Sequence, residues 1–163
     1  VKRILACLAT LAIATAGFSG GAQAEQPAST DPLGELIGKV IGFPSTDLVL
    51  KATLYHAGAK GIRGLDSLGC SVTPMRTLAV DPTVIPRRTI VFIKETVGMA
   101  LPDGSKHDGL WYATDIGGAI KGNRIDLFTG KGSGSMQQFF QRGLTSGALN
   151  AAKIGTFQGC PPK

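Results

Sequence analysis

The chain has 163 residues, with 17 basic and 11 acidic side chains, a formal charge of +6, 23 glycines and three cysteines. That length holds one packed domain plus some tail. The mild basic excess suits an anionic extracellular polymer. It does not suit nucleic acid, because no basic stripe with interleaved aromatics occurs, and Arg87-Arg88 is the one Lys/Arg dipeptide beyond the first residues.

In chain order, Lys2 and Arg3 precede the apolar run ILACLATLAIATA, and Ala22-Gln23-Ala24 fits the small-x-small pattern of a signal-peptidase site. Residues 1–24 are therefore expected to be a cleaved export signal, placing the product in the periplasm or outside the cell. The run is short for a bilayer and lacks a charged stop, so no stable membrane anchor is expected. Residues 25–47 read as a leader with one short amphipathic helix. Asp31-Pro32 supplies its N-cap and first position, Leu33, Leu36, Ile37, Val40 and Ile41 form its apolar stripe, and Gly42 closes it.

From residue 48 the texture changes to short apolar runs separated by Gly, Pro and Asp clusters. These are LVLKATLY (48–55), MRTLAV (75–80), TIVFIKE (89–95), GLWYAT (109–114) and RIDLF (124–128). Such runs predict a small β-barrel or sandwich. The third and fourth read as a hairpin turning at Pro102-Asp103-Gly104. GKGSGS then leads to Ser135, an expected N-cap for MQQFFQRGL, with Met136, Phe139 and Phe140 facing the core. GKGSGS is not a phosphate loop, since it lacks the Gly-Lys-Ser/Thr ending and a parallel-strand context.

Cysteine usage agrees with export. Cys7 leaves with the signal, and Cys70 and Cys160 are expected to pair. The two histidines, His56 and His107, stand at no zinc-like spacing from a cysteine, so no metal or other cofactor is expected.

The segment ATDIGGAIKGNRID (113–126) carries the chemistry. Asp115 and Asp126 bracket Gly117, Gly118 and Gly122, with Lys121 and Arg124 the cations between them. Each aspartate has a plain reading. Asp81 precedes Pro82, which is ordinary turn chemistry, and Asp115 would accept backbone N–H bonds from Gly117 and Gly118 in an Asx turn. Asp126 lies in an apolar strand-like run, where a turn role explains it poorly and an unpaired carboxylate is costly. Tyr55, Trp111 and Tyr112 are candidate sugar platforms. Trp111 and Tyr112 point to opposite faces of one strand, so at most one meets a glycan.

TLAVDPTVIPRRTIVFI (77–93) followed by GLWYATDIGGAIKGNRIDLFTGKG (109–132) resembles the 3D domain, named for three aspartates, of MltA-type lytic transglycosylases and small cell-wall proteins. Asp81, Asp115 and Asp126 would be those aspartates, and the resemblance covers roughly residues 50–145. It departs where the family often has proline-glycine and this chain has Arg87-Arg88, and in lacking a second domain to wall the groove. The resemblance implies a mainly β fold, a six-stranded double-psi β-barrel with one or two short helices over residues 48–163. It also implies cleavage of the MurNAc-GlcNAc bond of peptidoglycan to a 1,6-anhydro end, with a non-catalytic wall-binding or accessory role as the alternative. Glycan strands would be the partner, with a cell-wall protein supplying what the compact barrel lacks.

Under that resemblance Asp126 is the acid/base, Asp115 raises its pKa or orients it, and Asp81 is the third polar support. Tyr55, Lys121, Arg124, Gly117 and Gly118 would meet the substrate. Arg124, two residues from Asp126 on one strand face, would oppose the acid role by lowering its pKa. A hydrolase using Asp115 as base on water is the remaining reading.

Overall fold

The computed structural model describes residue 42, residues 44–62 and residues 64–162. The expected export signal, and the leader with its amphipathic helix as far as residue 41, lie outside the described residues; Gly42, expected to close that helix, has φ of 75°, and residues 44–47 have no regular structure. Six strands form the domain: β1 (Leu48–Ala57), β2 (Thr77–Val80), β3 (Thr89–Ile93), β4 (Leu110–Ile116), β5 (Arg124–Lys131) and β6 (Leu149–Thr156). Among the described residues, one α-helix, α1 (Gln137–Gln141), and two 3-10 turns, Lys94–Thr96 and Ser133–Met136, accompany the strands. The strands close into a barrel in the order β1-β5-β2-β4-β3-β6. Two neighbouring pairs, β1 with β5 and β2 with β4, run parallel; the others are antiparallel.

Alternation along each strand explains the core. In β1, Leu50 and Ala52 are buried inside while Lys51 is exposed outside, the period-2 pattern of a sheet with one packed face. Leu78, Val80, Val91, Ile93, Trp111, Ala113, Ile125, Leu127, Leu149 and Ala151 fill the same interior. Trp111 is fully buried, and its indole N–H donates to Thr96 Oγ1 at 3.0 Å, so its one polar atom is satisfied. Neither ring of the pair is therefore free for a sugar: Tyr112 is also buried, edge-on to Phe157.

The structure matches some expectations and departs from others. The expected hairpin is present, β3 against β4, with the chain turning between Leu101 and Ser105. The run 75–80 forms a strand only from Thr77, because Met75 has φ of 59° and breaks the extended backbone. The run 89–95 ends at Ile93 and enters a 3-10 turn. Ser135 does not cap α1: its hydroxyl binds Thr129 Oγ1 and donates to the Gly132 carbonyl, both at 2.7 Å, and Met136 precedes the helix without a side-chain cap. Phe139 is buried as expected, but Phe140 is 53% exposed, because so short a helix packs one side only.

β6 has no counterpart among the five apolar runs. Its segment LNAAKIGT buries only Leu149, Ala151 and Ala152, and alanines and glycine give little β signal. Tertiary closure against β1 and β3 makes it a strand.

The Cys70–Cys160 pair is a disulfide, with the Cα atoms 5.6 Å apart. It ties the segment between β1 and β2 to the C-terminal tail. Among the described residues, no helix is long and apolar enough to cross a membrane.

Candidate active site

Register places the key residues in one row on the outer face of the barrel. Thr53 of β1 pairs with Asp126 of β5, Asp126 with Ala79 of β2, and Ala79 with Asp115 of β4. The strands bearing Asp115 and Asp126 are not neighbours, since β2 lies between them. Two strand spacings separate their backbones, about 9.6 Å, where direct pairing of β4 with β5 would have put them one spacing apart. Ala79 at the middle of the row is small, which leaves open space between the carboxyls.

Strict alternation would bury Asp115. Ala113 points into the core, so the residue two further on should do the same. A bulge prevents this: Leu78 pairs with Ala113, but Ala79 pairs with Asp115, and Thr114 is the extra residue. The inserted residue turns the Asp115 side chain outward, as bulges beside functional sites often do.

A cleft of about 280 Å³ opens over this row. Its floor and one wall are Tyr55, Ala79, Asp115, Gly117 and Asp126; the segment between β1 and β2 supplies Ile62, Leu65 and Val72 opposite. That segment grips the row. The Ser67 N–H donates to Asp115 Oδ1 at 3.1 Å, and the Ser67 hydroxyl donates to the Thr114 carbonyl at 2.7 Å. Asp66, next to it, is buried; its Oδ1 accepts the N–H groups of Leu68 and Cys70, while Oδ2 has no partner among the described residues.

The carboxyls differ in character. Asp126 is pushed above the ordinary carboxylate range, chiefly by burial and further by the charge of Asp115; the Thr53 hydroxyl, at 2.9 Å from Oδ1, and Arg124 pull the other way. Burial therefore outweighs Arg124, which is itself exposed and screened. Asp115 is also raised, again chiefly by burial and also by Asp66, against N–H bonds from Ile116 and Ser67. These N–H groups, not those of Gly117 and Gly118, hold it. The Tyr55 hydroxyl lies 3.5 Å from Asp115 Oδ2, and burial beside these carboxyls pushes the phenol far above its usual value.

Asp81 is lowered to about 2, because its carboxylate accepts the Gly122 N–H at 2.8 Å and both the N–H and hydroxyl of Thr83. It does not line the cleft but clasps the loop between β4 and β5. Gly122 has φ of +60°, a conformation that favours glycine. Lys121 and Gly118 are exposed on that loop and, like Arg124, stand outside the cleft lining.

The sequence reading did not single out Thr53, Asp66 or Ser67. Thr53 was within reach: Lys51, Thr53 and Tyr55 alternate on one face of β1. Asp66 and Ser67 gave no signal, since their roles depend on a fold-back of the chain. His107 is buried and structural. Its Nδ1 accepts the Gly109 N–H at 2.8 Å and its Nε2 faces the Met75 carbonyl at 2.6 Å, so the ring is neutral, and burial lowers it to about 4. No cluster of His, Cys, Asp or Glu suited to a metal occurs among the described residues.

Residues 76–140, which contain all three aspartates, match the 3D domain family. The likeness is to that segment rather than to the whole chain. Its match includes β2 to β5 and all but the last residue of α1; β1 and β6, which close the barrel, lie outside it. The Bacillus subtilis cell wall-binding protein YocH is 38% identical over 87 residues, which is 52% of this chain and 26% of that protein. Among solved structures, the lytic transglycosylase LtgG of Burkholderia pseudomallei is 36% identical, covering 53% of this chain and 24% of that one, with a TM-score of 0.38. E. coli MltA, solved with bound chitohexaose, is 21% identical over 53% of this chain and 26% of its own, also at 0.38. The chain thus spans about a quarter of the length of these relatives.

Proposed function

We propose that the protein is a peptidoglycan lytic transglycosylase that cleaves the MurNAc-GlcNAc bond without water and leaves a 1,6-anhydro end. The observation that carries this reading is the row of Asp126, Ala79 and Asp115 beneath one cleft, with both carboxyls raised by burial. Asp126 starts protonated and gives its proton to the glycosidic oxygen as the bond to C1 breaks. The C6 hydroxyl of the same MurNAc attacks C1, and the Asp126 carboxylate takes the hydroxyl proton. The acid is regenerated and the sugar closes on itself. A raised pKa keeps the acid protonated, and so neutral, nearer to pH 7, and such catalysis contributes roughly 10²–10⁴ in rate.

Asp115 supports the acid by its charge, and Tyr55 and the small floor residue Ala79 offer the sugar a surface. Gly117 lines the cleft, while Lys121, Arg124 and Gly118 would meet a longer strand beyond it. Asp81 acts by holding the β4–β5 loop. We infer also that residues 1–24 direct export to the periplasm or exterior, that residues 25–47 are a leader, and that residues 48–163 form a double-psi β-barrel, as its two parallel strand pairs suggest.

One observation favours a second reading: YocH is named a cell wall-binding protein. A barrel that binds peptidoglycan without cutting it, alone or with a wall partner, would use the same cleft. Mass spectrometry of purified peptidoglycan digested with the protein separates the readings. Muropeptides carrying anhydro ends are expected. Reducing ends would mean hydrolysis with Asp115 as base, and intact glycan that retains the protein would mean binding alone.

A further inference from the structure

Thr53 lies on β1, outside the residues matched by the 3D family, yet its side chain touches the carboxyl that the proposed reaction uses. It pairs in register with Asp126 across the parallel β1–β5 ladder, so backbone hydrogen bonds rather than a flexible loop fix their separation. Its hydroxyl has two acceptors within reach: Asp126 Oδ1 at 2.9 Å and the Ile125 carbonyl at 3.2 Å. A hydroxyl has one proton to donate and lone pairs to accept with, so only one of these bonds is made at a time.

We propose that Thr53 is a positioning residue for Asp126, a hydroxyl that donates to Oδ1 so that the working proton resides on Oδ2. This deepens the lytic transglycosylase reading and rests on it for the word working; the effect on the carboxyl does not. When Asp126 releases its proton to the leaving oxygen, the Thr53 bond stabilises the carboxylate that forms. When the C6 hydroxyl returns a proton, the occupied Oδ1 is the poorer base, and the proton goes back to Oδ2. If Oδ1 is protonated instead, Thr53 turns its own proton to the Ile125 carbonyl and accepts from Asp126, so the site is never left with two facing donors. Binding through a neutral hydroxyl trims the rise in proton affinity without the large depression an arginine contact would cause.

The charged and titratable groups around Asp126 are Asp115 on β4, Tyr55 on β1, Arg124 on its own strand and Lys51, paired with Arg124 on β1. None of them changes when Thr53 is replaced by valine, which has the same shape and suits a strand.

The test is a ¹³C carboxyl NMR titration of Asp126 in the full chain, with Thr53→Val, Thr53→Ser and the unmodified protein. Losing a donor to the charged form should move the valine midpoint up by about one pH unit, with serine restoring it and Asp115 nearly unmoved. The alkaline limb of the cleavage pH profile should move in the same direction. An unchanged or lowered midpoint in valine, with the Trp111 environment intact, overturns the proposal, as does a serine variant that behaves like valine. Thr53→Ala replaces valine in the same comparison if valine fails to fold. Should the unmodified protein release no anhydro product, the reaction fails while the titration still decides what Thr53 does.

Discussion

Asp126 sits in a place that favours its neutral form, and that has a consequence for stability. Asp126 and Asp115 have folded pKa values above the ordinary range. Each contributes stability below that range which is lost as pH rises through the raised value. Asp126→Asn keeps an oxygen for the Thr53 hydroxyl and removes the charge. It is expected to abolish cleavage, retain glycan binding and stabilise the fold at pH 7. Thermal melts and the digestion assay check both halves. Asp66 adds to the rise of Asp115: its negative charge raises the Asp115 proton affinity while its Oδ1 organises the local chain. Asp66→Asn should lower the Asp115 titration midpoint, read by carboxyl NMR.

At the scale of elements, the loop between β4 and β5 is held by backbone bonds, Ile120 N–H to the Gly117 carbonyl at 3.0 Å and Lys51 N–H to the Asn123 carbonyl at 2.9 Å, and by two further contacts. Asp81 pins Gly122 from outside, and Ile120, which is buried, packs under Gly117. A Cβ at Gly117 would meet Ile120 Cγ1 at 2.7 Å. Gly117→Ala should therefore displace Ile120 and cost about 1–3 kcal/mol, visible as a lower denaturation midpoint and weaker glycan binding. The bulge at Thr114 belongs to this scale too. It faces Asp115 outward, and the Ser67 hydroxyl on the Thr114 carbonyl holds it.

For the whole molecule, the Cys70–Cys160 disulfide closes a sequence separation of 90 residues. Chain entropy puts the stabilisation at up to about 4.6 kcal/mol, so a reductant should lower the urea midpoint markedly, measured against the oxidised protein. His107 governs acid behaviour. With its folded pKa near 4 and an unfolded value of about 6.5, its contribution is full above 6.5 and falls away as pH drops towards 4, a loss of about 3 kcal/mol at most. Below that, Asp81 loses its contribution as pH falls towards 2. His107→Phe should flatten stability between pH 6.5 and 4 while costing about 2–4 kcal/mol at neutrality, because the Met75 carbonyl and Gly109 N–H lose their partner. Denaturant titrations across that pH range check it.

The sequence by itself determined the β class, five of the six strands, the cysteine pairing and the segment with the aspartates. Those features are local or compositional: period-2 alternation, turn residues, and an even pair of cysteines. Tertiary structure alone decided that β2 separates Asp115 from Asp126, that β6 closes the ring, and that Thr53 and Ser67 hold the two carboxyls. Strand order and register depend on contacts between residues far apart in the chain, such as Thr53 with Asp126, and no local pattern encodes them. The bulge is the sharpest case. Alternation sends Asp115 into the core, and one extra residue, legible only against its partner strand, turns it out to the cleft.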